Sequence, residues 1–262
     1  MGLTIKLSKR VARRFGYDLT RAVAPGAECI DLMTRLRWKL RHREDETAPF
    51  LRFCLEHLVN SHSDMLQDLF VLYETQCLQG GVFVEFGASD GITGSNSYLL
   101  EASHGWRGVL VEPARSWHPD LTKTRHCAID HRCVTDHSGD HVLFRDCAER
   151  ALSTIDTYRH ADRYGRMRGK ARRYEVDTVS LNDLLDQHGL DTVDYLSIDT
   201  EGSELMILTP FDFGRFRPHV ITIEHAYESR RRAALFELLS ARGYRRKFES
   251  LSQIEDWYVR GS

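Results

Sequence analysis

The chain has 262 residues, a formal net charge of −2, 42% hydrophobic residues and 28% charged residues. This balance is typical of a globular protein, and a near-neutral charge excludes strong long-range attraction to polyanions. No apolar run reaches the roughly 18 residues of a membrane span, and the N-terminus lacks the apolar core of an export signal. We therefore expect a cytoplasmic protein whose six cysteines are reduced thiols.

Residues 1–62 are predicted to form a basic, helical extension in front of a main domain at residues 63–262. Residues 6–43 include eleven lysines and arginines but three acids. The helices predicted in the extension are 6–15, 31–43 and 49–60. The first of them has an apolar face and a basic face. It either packs on its own domain or lies peripherally on the inner face of an anionic membrane.

From Gly81 onward, short apolar runs alternate with helical stretches. The runs VFVEF, GVLVE, DYLSID and HVITIE predict buried parallel strands connected by crossover helices. The helices predicted in the main domain are 64–79, 96–104, 181–188, 204–208 and 228–242. Residues 243–261 predict two strands joined by a hairpin. The expected fold is α/β, a doubly wound, mostly parallel sheet with a C-terminal antiparallel hairpin, preceded by the N-terminal helical segment.

The turn after the first strand, in VFVEFGASDG, is typical of a ligand-binding turn. Gly87 permits a tight turn, and Gly91 permits backbone to approach a ligand closely. A dinucleotide site uses Gly-x-Gly-x-x-Gly, but the middle glycine is missing here and the turn has Glu85 and Asp90 instead. These acids repel a pyrophosphate and attract an ammonium and a sulfonium. The turn therefore predicts S-adenosylmethionine rather than NAD, and the alternative is a structural turn with solvated acids.

Further polar residues follow the ends of later strands. Glu112 ends the second strand, where a carboxylate can accept hydrogen bonds from both ribose hydroxyls of an adenosine, although NAD folds share this acid. Asp199 and Glu201 follow DYLSI, and Glu224 and His225 end HVITIEH. Because the carboxyl ends of parallel strands face one crevice, we expect these four side chains to converge as catalytic residues beside the bound donor.

Several segments between about residue 63 and the C-terminus resemble, in order, the FkbM-type S-adenosylmethionine-dependent methyltransferases. They are QDLFVL, GGVFVEFGASDG, SNSYLLE, GWRGVLVEP, VDTVSLNDLL, VDYLSIDTEGSELMIL and ITIEH. The resemblance implies a class I, Rossmann-like methyltransferase fold and O-methylation of a sugar, glycolipid, polysaccharide or natural-product hydroxyl. It also implies a donor site formed by Gln67, Glu85, Gly87, Ala88, Asp90, Gly91, Asn96 and Glu112.

Two other functions remain open beside this one. The first is ribose 2′-O-methylation of RNA, which needs a continuous basic groove beside the donor pocket. The second is a donor-binding but non-catalytic partner of a glycosyltransferase, which could associate through the basic N-terminus. No DNA partner is expected, because the Asp-Thr-Glu-Gly motif at residues 199–202 differs from the Asn/Asp-Pro-Pro-aromatic element of base-amine methyltransferases.

A hydroxyl acceptor must lose its proton, and the sequence offers two ways to remove it. His225 has an ordinary pKa near 6.5 and could act as a general base, although Glu224 beside it should raise that pKa. Alternatively, Asp199, Glu224 and His225 could hold Mg²⁺ or Mn²⁺, which would acidify the bound hydroxyl. We favour the base, because the sequence does not fix a ligand count.

Two segments between the motifs have unusual compositions. Histidines and cysteines are frequent at residues 126–147, but without the paired spacing of a zinc site, so a strand and a hairpin around DHSGDH are predicted. Residues 159–173 have seven lysines and arginines and one acid. This run could be a solvated loop, could hold a phosphate of the acceptor, or could bind nucleic acid.

Overall fold

The structure is a computed structural model that describes residues 25–261. The helix predicted at residues 6–15 lies outside the described residues. The chain divides into two compact units between Arg52 and Phe53, and the boundary predicted after residue 62 remains a prediction. Helices α1 (Pro25–Arg41) and α2 (Thr47–His57) come first in the described part. None of the described helices is long and apolar enough to cross a membrane.

The second unit alternates strands and helices along the chain. Its described strands are β1 (Val82–Phe86), β2 (Arg107–Val111), β3 (Ala128–Asp130), β4 (Cys133–Thr135), β5 (His141–Cys147), β6 (Thr154–Ile155), β7 (Ala171–Ser180), β8 (Tyr195–Ile198), β9 (Val220–Glu224), β10 (Tyr244–Lys247) and β11 (Glu255–Arg260). Its described helices are α3 (Gln67–Glu74), α4 (Tyr98–His104), α5 (His118–Thr124), α6 (Leu181–Gln187), α7 (Glu204–Leu208) and α8 (Ser229–Ala241).

Seven strands form one sheet with the order β10-β11-β9-β8-β1-β2-β3. Both β2 and β8 pair with β1 in parallel, and the strand order reverses at this point. Strand β9 continues in parallel beside β8, while β11 runs antiparallel to both β9 and β10. The unit is therefore mixed α/β around a large, mostly parallel sheet, as predicted.

The central strands explain the continuous apolar runs of the sequence. Strands β1, β8 and β9 are buried along their whole length. Val84, Leu196 and Ile221 of these strands belong to one hydrophobic core with Leu184 of α6 and Leu235 of α8. The carboxyl ends of these parallel strands open at one edge of the sheet, so the polar residues that follow them meet there.

A second sheet has the order β4-β7-β5-β6. The predicted hairpin around DHSGDH is wrong, because β4 and β5 do not pair with each other. Strand β7 lies between them, parallel to β4 and antiparallel to β5. The first seven residues of β7 pair with β5, and its last three pair with β4. The chain between residues 136 and 140 therefore connects β4 and β5 across β7.

The helix predicted at 64–79 is shorter than expected. Ser63 forms an isolated β-bridge with Gly94, and Leu66 has a left-handed backbone with φ of 64°. The helix therefore begins at Gln67 and ends at Glu74. At its start, the Asp68 carboxylate accepts hydrogen bonds from the Ser61 hydroxyl and the His62 amide at 2.6 and 2.8 Å. Tertiary pairing of residue 63 thus overrides the helical period of the sequence.

Candidate functional site

A cavity of about 330 Å³ opens at the edge of the sheet where β1, β2 and β8 end. The predicted site residues in its lining are Gly87, Ala88, Asp90, Glu112, Asp199 and Glu201. The predicted site residues outside its lining are Gln67, Glu85, Gly91, Asn96, Glu224 and His225. The structure thus divides the predicted set into groups that face the cavity and groups that lie behind it.

Gly87 lets the ends of β1 and β8 approach each other closely. Its φ is +78°, and a Cβ atom at this position would lie 2.3 Å from the carbonyl oxygen of Asp199. Any side chain would therefore separate the two strand ends. Gly91, with φ of +83°, plays a similar part farther along the turn, where a Cβ atom would lie 2.7 Å from side-chain atoms of Leu121 and Arg125.

Glu112 presents its carboxyl group to the cavity while backbone amides hold it in place. The Ser89 amide donates to one oxygen at 3.0 Å, and the Ala114 amide donates to the other at 2.8 Å. Burial raises the pKa of Glu112 to about 7, and these two hydrogen bonds oppose the increase. The remaining lone pairs can accept hydrogen bonds from the hydroxyls of a ligand.

Glu85 and Asn96 support the turn from behind. One Glu85 oxygen accepts a hydrogen bond from the Asn96 amide at 2.8 Å, and the other accepts from the Ser97 hydroxyl. Arg125 lies 3.9 Å from the same carboxylate. The Asn96 side chain donates to the Ser197 hydroxyl at 2.9 Å. These two residues therefore join the turn to strand β8 through a buried polar network.

Gln67 links helix α3 to the last strand. Its amide nitrogen donates to Glu255 at 2.9 Å, and its amide oxygen accepts from the Met65 backbone at 2.9 Å. Glu255 lies directly opposite Glu224 in the pairing of β11 with β9. Gln67 thus holds Glu255 of β11 in place beside Glu224 of β9.

Asp199, Glu201 and Glu224 form a compact cluster of carboxyl groups. Each offers an oxygen within 4.8 Å of the others, and they are the group in the described chain that could hold a metal ion. Burial, followed by the neighbouring acids, raises the pKa of Glu224 well above its usual value and that of Glu201 to about 8. Asp199 opens to the cavity, and its surroundings raise its pKa to about 6. Asp199 is therefore the first of the three to ionise.

His225 is arranged differently from the expected general base. Its Nδ1 accepts a hydrogen bond from the Tyr227 amide at 3.1 Å, so the neutral ring has its proton on Nε2. Burial lowers the pKa of His225, and the opposing effect of Asp256 is smaller. The expected increase in this pKa was wrong, because burial of the charged ring outweighs the nearby acids.

Arg168, from the basic run at 159–173, is buried with 1% of its surface exposed. Its guanidinium donates to both oxygens of Asp162, at 2.9 and 2.7 Å, and also to Glu201. Its Nε donates to the Leu152 carbonyl at 3.0 Å. It thereby holds the segment whose cavity-lining residues are Ala151, Ser153 and Ile155.

This role of Arg168 is not predicted by the composition of the run. A run of seven basic residues resembles a solvated loop, and its one acid, Asp162, was the signal that one arginine is paired. No lysine, arginine or histidine of the described chain lines the cavity. The hypothesis that this run holds an acceptor phosphate inside the cavity therefore has no support from the arrangement of the lining.

We expect Arg168→Met to lower the free energy of unfolding by about 3–5 kcal/mol, because two carboxylates lose a buried partner. The matched control is Arg215→Met, which breaks an ion pair with Asp186 whose side chains are 48% and 45% exposed. An exposed pair contributes about 0–1 kcal/mol. Urea denaturation of both variants measures the difference, and equal losses would contradict a stabilising role for the buried pair.

Comparison with known proteins identifies the family to which the chain belongs. Among solved structures, the chain is similar to precorrin-6y C5,15-methyltransferase from Geobacter metallireducens GS-15, with 13% identity and a TM-score of 0.39. That match covers 74% of this chain and 87% of the other. No curated protein matches the chain. The methyltransferase FkbM domain family matches residues 85–246, which confirms the resemblance found in the sequence. The chain belongs to the FkbM methyltransferase domain family, and is thus a methyltransferase that uses S-adenosylmethionine.

Proposed function

We propose that the protein is an O-methyltransferase that methylates a hydroxyl of a sugar, glycolipid, polysaccharide or natural product. The observation that carries the proposal is the cavity-facing Asp199, whose carboxyl oxygen lies within 4.8 Å of a carboxyl oxygen of the buried Glu224. This pair combines an ionisable base with a buried acid beside the predicted donor turn. The strand order, with a reversal at β1 and antiparallel β11, supports a class I, Rossmann-like fold with a C-terminal antiparallel hairpin.

The charge of the cavity suits the donor. Its lining includes five acids and, within the described chain, no basic side chain. The five acids are Asp64, Asp90, Glu112, Asp199 and Glu201. S-adenosylmethionine carries a sulfonium, an ammonium and one carboxylate, so its net charge is positive and the lining attracts it. We assign Glu112 to the ribose hydroxyls, because its carboxyl group is fixed in the cavity by two backbone amides.

The methyl transfer itself is a substitution at the donor methyl group. The acceptor oxygen forms the new C–O bond, the S–C bond breaks, and sulfur keeps the electron pair as a neutral thioether. The hydroxyl proton passes to Asp199, which is ionised above a pH of about 6. Glu224 lies within 4.8 Å of Asp199 and does not itself line the cavity. The enzyme's other task is to align oxygen, methyl carbon and sulfur.

His225 fits a supporting position better than the base position first expected for it. Its Nδ1 is already an acceptor for the Tyr227 amide, and the ring does not line the cavity. Accepting a proton at Nδ1 would therefore break that hydrogen bond. We keep Asp199, Glu201, Glu224 and His225 as the proposed catalytic group, with Asp199 as the base.

A bound Mg²⁺ or Mn²⁺ is the alternative means of activating the hydroxyl. The oxygens of Asp199, Glu201 and Glu224 are close enough to share an ion, whereas His225, first expected as a ligand, is not in this group. The Arg168 guanidinium already binds Glu201. A positive charge there repels a divalent cation, and for this reason we favour the proton transfer to Asp199.

We predict that Glu112→Gln weakens the binding of S-adenosylhomocysteine by about 1.5–3 kcal/mol at pH 8, because charge-assisted hydrogen bonds are lost. In the wild type, affinity should rise with pH through about 7 as Glu112 ionises. The variant should lose the part of this increase that is centred near pH 7, while Asp199 and Glu201, with pKa values of about 6 and 8, still titrate on either side of it. Calorimetry between pH 6 and 8 measures both effects, with Glu175→Gln, an exposed acid on β7, as the control. Unchanged affinity in the Glu112 variant would contradict the assignment.

We predict that Asp199→Asn lowers kcat for methyl transfer by about 10²–10⁴-fold, because general-base catalysis is lost. Wild-type activity should increase as pH rises through about 6, where Asp199 loses its proton, and the variant should lack this increase. His225→Ala is the comparison variant and should lose less activity. The assay is labelled methyl transfer to an acceptor found by screening sugar nucleotides and glycolipids. Full turnover by Asp199→Asn would exclude it as the base.

Removal of metal ions by chelation distinguishes proton transfer to Asp199 from activation of the acceptor hydroxyl by Mg²⁺ or Mn²⁺. After exhaustive treatment with EDTA and gel filtration, we expect the enzyme to retain its activity. Loss of activity that Mg²⁺ or Mn²⁺ restores would favour the metal alternative instead. Donor binding, measured on the same samples, shows whether the chelated protein is still folded.

A further inference from the structure

A second groove lies outside the proposed active site, between residues 158–161 and helices α7 and α8. Its volume is about 560 Å³, and Leu205, Met206 and Ala234 contribute apolar side chains to its walls. Arg230 and Arg231 also line it. The groove is therefore apolar inside and basic along the side formed by α8.

Exposed arginines continue this basic character beside the groove. Arg163, Arg166 and Arg230 are exposed, and no acidic side chain of the described chain forms an ion pair with them. The Arg163 guanidinium lies 4.3 Å from the centre of the Tyr227 ring, which connects the basic run to the start of α8. Next to Arg166, the Met167 side chain is 57% exposed. We call Arg163, Tyr227 and Arg230, together with Arg166 and Met167, which follow Arg163 closely in the chain, the basic surface.

Three acids close to this surface, Asp156, Asp162 and Glu204, are already paired with other arginines. Asp156 binds Arg145 at 2.6 Å and Arg159 at 3.4 Å. Asp162 is fully paired with Arg168, as described above. Arg231 lies 3.4 Å from Glu204. Glu228, between Tyr227 and Arg230 in the chain, offsets one of the three positive charges of Arg163, Arg166 and Arg230. The surface therefore keeps a net positive charge, which an anionic partner would neutralise.

We propose that the basic surface docks the protein on a bilayer with anionic headgroups. Arginine forks bind headgroup phosphates, and the exposed Met167 and the apolar groove can contact acyl chains. A single-stranded nucleic acid would instead need open aromatic faces for base stacking. The Arg163 guanidinium lies 4.9 and 4.3 Å from the ring centres of Tyr164 and Tyr227 and covers one face of each ring, which leaves fewer faces for stacking. This docking function is independent of the methyl transfer proposed above.

Co-sedimentation of the full chain with vesicles tests the proposal. Vesicles of phosphatidylcholine with phosphatidylglycerol should bind the protein, and pure phosphatidylcholine should not. The double variant Arg163→Glu/Arg230→Glu should reduce binding about tenfold or more, because two attractive charges become repulsive. The matched control is Arg242→Glu/Arg245→Glu, which makes the same charge change at two exposed positions away from the basic surface. Arg242 follows the end of α8, about 18 Å along the helix axis from Arg230, and Arg245 lies on β10. The control should bind as the wild type does.

Three results would overturn the proposal. The first is equal binding by wild type and the Arg163/Arg230 variant, which would place docking elsewhere in the chain, including residues 6–15. The second is equal binding to neutral and anionic vesicles. The third is variant-sensitive binding to an RNA oligonucleotide or to free glycerol phosphate without binding to vesicles. Melting curves of both double variants confirm that loss of binding is not loss of folding.

Discussion

Several carboxyl groups are crowded at one edge of the sheet, and most features of the second unit accommodate this crowding. Asp199, Glu201 and Glu224 lie within 4.8 Å of one another, and Arg168 is the buried guanidinium in contact with them through Glu201. Arg168 is itself shared with Asp162, so the cluster keeps excess negative charge. Burial first, and then the neighbouring acids, raise the pKa values of Glu224 and Glu201, and Glu201, with a pKa of about 8, retains its proton at neutral pH.

This crowding affects stability as well as chemistry. A carboxyl group whose pKa is raised by folding binds more protons in the native state than in the unfolded chain. Stability therefore falls as pH rises from the unfolded pKa, near 4, towards the raised native value, which is about 6 for Asp199 and about 7 for Glu112. A cationic ligand in the cavity offsets this loss of stability, because it interacts favourably with the ionised carboxylates. The site therefore favours a positively charged donor.

Much of the site could be predicted from the sequence, because strand ends in a parallel sheet open at one edge. That rule placed Glu112, Asp199 and Glu201 in one cavity. The rule does not say whether a side chain faces the cavity or the core behind it, and for this reason Glu85 and Asn96 were not distinguished from the lining residues. Orientation depends on hydrogen bonds between distant segments, such as that of Glu85 with residues 96 and 97.

Other features escaped prediction because they depend on long-range pairing. The His225 ring takes its tautomer from the Tyr227 amide, and two successive left-handed residues, Ala226 and Tyr227, form that turn. The long strand β7 separates β4 from β5, although the turn between these strands resembles a hairpin. The composition of the basic run at 159–173 does not distinguish the buried Arg168 from the exposed arginines beside it.

The two sides of the cavity are held by different kinds of contact. The turn after β1 is fixed by backbone approach at Gly87 and by the register of parallel strands. The opposite wall, residues 151–155, is attached by the short pairing of β6 with β5 and by the side chain of Arg168. The wall also contacts the acidic strand end, because Thr154 donates to the Glu201 carbonyl at 3.2 Å and Arg168 donates to the Glu201 carboxylate. A graft that replaces this wall must therefore keep Thr154 and Arg168, or the carboxyl cluster at Glu201 loses the contacts that hold it.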